Sequence, residues 1–133
     1  MATKAEIIEF LEAEYPHTGC TIEAVGDKSA TVKLKVRDNH LRPGGTVSGP
    51  VLITVADVAL YVAILGEIGI VPLAVTTNLN INFMRKPAPD RDIIGVCNLM
   101  KMGSSLAVGE VFLYSEGIGE PVAHVVGTYS IPK

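Results

Sequence analysis

The sequence predicts an α+β fold in which an antiparallel sheet wraps a long central helix, with residues 1–133 forming one domain. Three observations predict it. Residues 51–65 are apolar on every side with no turn signal inside the run, so they read as a helix that other elements must cover. Segments of alternating polarity stand on both sides of that run, two before it and four after it. The chain is 133 residues long and 48% hydrophobic, enough for one core but not for two.

The elements follow in order. Residues 3–14 place Ile7, Ile8, Phe10 and Leu11 on one side and charged residues elsewhere, which predicts a short amphipathic helix. Thr3 is its expected cap, with Glu6 three residues on, and Pro16 ends it. Residues 20–25 and 30–36 alternate around Gly26-Asp27-Lys28-Ser29 and predict a β-hairpin with one wet face. Residues 38–49 read as loop. Pro50 suits the first helical position and disfavours helix at the residue before it, so Gly49 is the expected cap. After Gly66-Glu67-Ile68-Gly69 the period becomes two. Residues 73–84 place Thr76, Asn78, Asn80 and Asn82 on one face, with Val75, Thr77, Leu79, Ile81 and Phe83 on the other. Strands are expected at 92–102, 105–115 and 121–131, joined by Met102-Gly103-Ser104 and residues 116–120.

Composition narrows the function classes. A net charge of −3 without a basic stripe argues against nucleic-acid binding. The start of the chain lacks a signal-peptide pattern, and the 51–65 run is too short to span a bilayer, so a cytoplasmic protein without a membrane partner is expected. Cys20 and Cys97 share no metal-ligand spacing, and neither do His17, His40 and His124, so no metal site is expected. The excess of aliphatic residues points to further burial between subunits.

Asp57 is the centre of the candidate chemistry. It is the only charged residue between Arg42 and Glu67, in the middle of the apolar run. A carboxylate among hydrocarbon is costly unless it is paired, hydrogen-bonded or protonated. Gly49, at the helix start, offers free backbone N–H groups and the positive end of the helix dipole, which suit a polarised carbonyl oxygen. Asp57 lies eight residues on, roughly 12 Å along the axis at about 1.5 Å per residue. One carbonyl group cannot touch both on the same helix. A two-fold dimer with antiparallel helices brings the amide of one chain to the carboxylate of the other.

The stretch Arg42-Pro-Gly-Gly45-Thr-Val-Ser48-Gly49-Pro50, with Asp57 beyond it, resembles the active-site signature of hotdog-fold acyl-CoA thioesterases of the phenylacetyl-CoA type. That signature reads Asn-x-x-Gly-x-x-His-Gly-Gly, followed by an acidic residue on the central helix. Gly45, Gly49 and Asp57 match. Arg42 stands where the family often has Asn, Ser48 replaces His, and Pro50 replaces the second Gly. Residues 79–87 resemble the family's third strand, and the resemblance spans about residues 20–131.

The resemblance implies a hotdog fold and hydrolysis of an aryl- or medium-chain acyl-CoA, with coenzyme A as part of the substrate and no cofactor. It implies that the Gly49 N–H polarises the thioester carbonyl while Asp57 of the other chain activates water or attacks directly. Thr76 best matches the hydroxyl that assists the acid in this family, with Thr77 on the opposite face as the second candidate. Arg42, Ser48 and His40 are the candidate substrate contacts around the helix start. Arg85 and Lys86, together with Arg91, Lys101 and the Ser104-Ser105 turn, are candidates for the coenzyme A phosphates. Leu60, Tyr61 and Ile64 are expected to set the depth of the acyl pocket. A homodimer with sites at the interface is expected, with a homotetramer as the larger option. A non-catalytic acyl-CoA binder is the second reading, motivated by Ser48 in place of His. A hotdog dehydratase ranks last, because no His occupies the central helix.

Overall fold

Thr3 opens the first helix with a reciprocal cap. Its Oγ1 accepts the Glu6 N–H at 3.2 Å, and Glu6 Oε1 accepts the Thr3 N–H at 2.9 Å. In the structure, a computed structural model describing residues 1–132, this cap starts α1 (Lys4–Glu14), which buries Ile7 and Leu11. A 3-10 turn at Pro16–Thr18 leads to β1 (Cys20–Gly26), and a two-residue turn leads to β2 (Ser29–Leu34). The second strand stops two residues short of its expected end, because the Val36 N–H is taken by Asp92 Oδ1 at 3.0 Å instead of by a ladder. The central helix α2 is Gly49–Ile68, followed by β3 (Val75–Phe83), β4 (Ile93–Met102), β5 (Leu106–Ser115) and β6 (Ala123–Ser130).

The six strands form one antiparallel sheet in the order β1-β2-β4-β5-β6-β3. α2 lies across its inner face, chiefly over β4, β2 and β5. Leu52, Val55, Leu60, Ile64 and Leu65 of α2 are fully buried against Val32, Ile93, Val111, Leu113 and Val125. Burial of this many aliphatic side chains, at about 1.5–3 kcal/mol each, is the main force holding helix to sheet. Gly95, Gly109 and Gly127 lie in the sheet beneath Val55 and Leu60, where the helix approaches most closely.

Four expectations are corrected here. The residue at the cap position of α2 is Ser48, with extended backbone (φ −72°, ψ 154°), and Gly49 is the first helical residue. Proline disfavours helix at the residue before it partly by crowding that residue's Cβ, and glycine has none. The Ser48 side chain makes no capping hydrogen bond. Secondly, α2 is 20 residues long, so by length and composition it could cross a bilayer. However, 67% of its most apolar stretch is buried inside the protein, which makes it the core helix. Thirdly, the sheet does not cover α2 on every side. Pro50, Ile53 and Thr54 are exposed and Asp57 is half-buried, a stripe spaced i, i+3, i+4, i+7 along one face. Fourthly, β3 does not alternate throughout. Thr76 pairs with Tyr129 and Asn78 with Thr128, so Thr77 is the extra residue of a β-bulge.

β3 is an edge strand with little beneath it. Val75 and Phe83 are exposed within it, as are Leu73 and Met84 at its ends. An edge of this length with apolar residues and an open row of backbone groups is a pairing surface.

Candidate active site

α2 and β3 run in opposite directions, and this sets where the candidate residues fall. The start of α2 meets the end of β3: a Cβ built on Gly49 would stand 3.2 Å from Phe83 Cζ. Two turns further on, Asp57 meets the start of β3, where Thr76 Oγ1 donates to Asp57 Oδ1 at 2.5 Å. Gly49 and Asp57 therefore lie at opposite ends of the same sheet edge, as their spacing on one helix requires.

Asp57 also has a second donor. Tyr129 Oη lies 2.7 Å from Asp57 Oδ1 and 3.0 Å from the Asp57 backbone oxygen. One hydroxyl proton serves one acceptor well, and the charged, nearer oxygen takes it. The carboxylate in its apolar run is thus satisfied by two hydroxyl groups on Oδ1, while among the described residues no hydrogen bond reaches Oδ2. Burial pushes the Tyr129 phenol far above the ordinary tyrosine value, and the negative Asp57 beside it adds to the shift. It therefore stays protonated, and a donor, throughout the working pH range.

A cleft of about 400 Å³ opens beside this pair, lined by Phe10, Tyr15, Tyr61, Pro72, Thr76 and Tyr129, with Glu14 also contributing. Its aromatic wall is continuous. Tyr61 stacks on Tyr129 with ring centroids 6.1 Å apart, and Phe10 and Tyr15 tilt against Tyr61 at 6.3 and 6.4 Å. Tyr61 Oη donates to the Pro72 carbonyl at 3.0 Å, tying the helix to the segment entering β3. Of the three residues expected to set pocket depth, only Tyr61 lines this cleft. Leu60 and Ile64 point into the core because the helix turns them toward the sheet.

The loop before α2 is internally bonded. His40 Nδ1 accepts the Arg37 N–H at 2.9 Å, and the His40 carbonyl accepts the Ser48 N–H at 2.9 Å. The Arg42 N–H donates to the Thr46 carbonyl at 2.8 Å, closing a tight turn through Gly44 and Gly45, both at positive φ. His40 thus holds the loop, while the Arg42 side chain is exposed. Arg85 donates to the Pro121 carbonyl at 2.7 Å and pairs with Glu120 at 3.0 Å, next to exposed Lys86. Arg91 Nη1 donates to the Glu116 carbonyl at 3.0 Å.

Within one protomer the candidate phosphate contacts are not together. Arg85 and Lys86 follow the end of β3, near Gly49. Ser104 and Ser105 precede Leu106, which pairs with Ser130, which in turn pairs with Val75 at the start of β3. Among the described residues no group of acidic, His and Cys side chains is arranged to hold a metal ion.

Sequence reasoning missed Tyr129, Phe10 and Tyr15. Tyr129 had a signal: it closes the inward row Ala123, Val125, Gly127, Tyr129 of β6, and a phenol in such a row needs a polar partner. Phe10 and Tyr15 had none, since only the docking of α1 beside α2 brings them to the cleft.

The thioesterase superfamily model matches residues 44–122, more than half of the chain. The chain is similar to a candidate thioesterase from Silicibacter sp. TM1040, with 45% identity, 98% of this chain and 92% of that one covered, and a TM-score of 0.90. It shares its fold with the phenylacetic acid degradation protein PaaI of Thermus thermophilus in a mutant form (24% identity, 93% and 99% covered, TM-score 0.76). It also shares it with zebrafish thioesterase superfamily member 2 (22% identity, 99% and 100% covered, TM-score 0.86). No curated protein matches the chain significantly. The matched span, the 45%-identical relative and the sheet wrapped around α2 together make this chain a hotdog-fold member of the thioesterase superfamily.

Proposed function

We propose that the protein is an acyl-CoA thioesterase that works as a homodimer, with Gly49 of one protomer and Asp57 of the other acting on one thioester. The observation that carries this reading is the antiparallel run of α2 and β3, which sets the helix start beside Phe83 and Asp57 beside Thr76. A two-fold axis near the middle of β3, pairing this exposed edge with its copy, puts the Thr76 end of one strand opposite the Phe83 end of the other. Each Asp57 then faces the α2 N-terminus of its neighbour. The same operation carries Arg85 and Lys86 toward the partner's Ser104-Ser105 turn, so the phosphate contacts that lie apart in one protomer converge across two. The exposed stripe of Pro50, Ile53 and Thr54 supplies the apolar remainder of the interface. Two such dimers forming a tetramer is compatible with the same contact.

In this reading the Gly49 N–H and the α2 dipole stabilise the oxyanion that forms on the thioester carbonyl. Asp57 takes a proton from water as the water oxygen bonds to the carbonyl carbon. The carbon–sulfur bond then breaks, and the proton passes to the departing thiolate, giving a carboxylic acid and coenzyme A. Direct attack by Asp57 reaches the same products through an anhydride that water opens. The aromatic wall of the cleft favours an aryl or medium-chain acyl group. Its chemistry requires no cofactor.

The test is hydrolysis of a panel of aryl- and medium-chain acyl-CoA thioesters by the purified protein. Turnover of at least one is expected, and inertness toward the whole panel overturns the reading. A non-catalytic acyl-CoA binder is the second reading, favoured by Ser48, whose side chain makes no capping bond where the family signature has His. That reading expects ligands to raise the melting temperature without turnover.

A further inference from the structure

Asp57 is held by two hydroxyl groups on one oxygen, and the second of them comes from a residue outside the family signature. We propose that Tyr129 is a positioning residue: with Thr76 it pins Asp57 Oδ1, so that Oδ2 alone is presented to the cleft. This rests on the thioesterase reading for its consequence in catalysis, but the geometry stands without it.

A carboxylate on a helix can rotate about its χ angles and exchange its two oxygens, which spreads the reacting atom over several positions. Two donors at 2.5 and 2.7 Å, approaching from β3 and β6, remove that freedom. The two donors are directly paired across the sheet, Thr76 opposite Tyr129, so their separation is set by the ladder and not by flexible loops. The Tyr129 ring is itself fixed, being 3% exposed and stacked on Tyr61. Its hydroxyl has a second acceptor in the Asp57 backbone oxygen at 3.0 Å, which aims it at this one residue. The β-bulge at Thr77 has a role here too. It lets Thr76 pair with Tyr129 while Asn78 resumes the register one residue later.

Hydrogen bonds to a charged group are worth more than neutral ones, and they favour the ionised form. Removing the Tyr129 hydroxyl therefore acts on the reacting group and not on substrate binding. In Tyr129→Phe, kcat falls about tenfold to a hundredfold with KM little changed. Thr76→Val does the same, and Thr76→Ser, which keeps the hydroxyl, restores most of the rate. Melting temperatures of all variants establish that they are folded.

A second readout needs no substrate. In a crystal structure of Tyr129→Phe the Asp57 carboxylate is expected to spread over more than one orientation, whereas in the wild type Oδ1 stays on Thr76 and Tyr129. A Tyr129→Phe protein with wild-type kcat overturns the proposal, as does an Asp57 carboxylate that keeps its single wild-type orientation in that variant. If the wild type hydrolyses no thioester, the thioesterase reading fails, and the orientation of Asp57 in Tyr129→Phe still decides whether Tyr129 holds the carboxylate.

Discussion

Leu60 of α2 sits between two glycines of the sheet, Gly109 and Gly127, which are paired directly across β5 and β6. A Cβ on Gly127 would stand 2.5 Å from Leu60 Cδ1, and one on Gly109 would stand 2.8 Å from Cδ2. Leu60 is fully buried and blocked on both sides, so it cannot swing away from either. Gly127→Ala is expected to destabilise the protein by about 1–3 kcal/mol, read by urea denaturation. In a Leu60→Ala background the same change should cost much less, because the two sites share one space.

Ile53 tests the proposed interface separately from the fold. It is 37% exposed on the open stripe of α2, so Ile53→Glu changes the isolated protomer little. Across a dimer it sets a charge in an apolar contact. Light scattering after size exclusion should show a shift toward monomer, with hydrolysis lost in parallel. A dimer unchanged in mass argues against this face as the contact.

Asp57→Asn keeps the size of the side chain and an oxygen that accepts from Thr76 and Tyr129, but it loses the charge that the proposed reaction uses as base or nucleophile. Hydrolysis should fall by at least about 10³-fold. The melting temperature should stay close to that of the wild type.

The two thiols predict an alkaline limit. Burial pushes Cys97 up to about 12 and Cys20 up to about 11. Both values are raised in the fold, so the stability they contribute is complete below the unfolded thiol value near 8.5 and declines as pH rises toward the folded values. At pH 8 the thiolate fraction of Cys20 is on the order of a thousandth, and that of Cys97 is lower still. An aromatic disulfide reagent should therefore react slowly with the native protein and rapidly once urea unfolds it. Melting temperatures should decline above about pH 9.

The cap of α1 predicts the opposite limb. The bonds between Glu6 and Thr3 hold the Glu6 carboxyl below its ordinary value. A lowered value contributes stability that is present above the unfolded carboxylate range and is lost as pH falls through the folded value. Thr3→Ala should lower the melting temperature at neutral pH, and the difference from the wild type should shrink in acid.

Much of the architecture was legible in the sequence because it depends on local pattern. The Thr3–Glu6 spacing, the period-two segments and the unbroken run around Asp57 each have one low-energy local solution, and the structure adopts them with ends shifted by a few residues. Asp57 stands out because a single carboxylate in hydrocarbon demands partners, and the family resemblance points to Thr76 as one of them. The cap at Ser48 escapes the pattern because the rule for residues before proline is weakest at glycine. The bulge at Thr77 leaves no mark in the alternation.

The sequence by itself determined which segments are helix and strand, and that an isolated acid sits at the centre of the longest helix. Local pattern suffices for this, since backbone propensity and side-chain period act over a few residues. Only the tertiary structure decided that Tyr129 meets Asp57 across 72 positions of chain, that the rings of Phe10, Tyr15, Tyr61 and Tyr129 wall one cleft, and that α2 and β3 run oppositely. Those contacts depend on strand order and register. Both are set by how the apolar faces of all the elements are buried together, and no short stretch of residues encodes that.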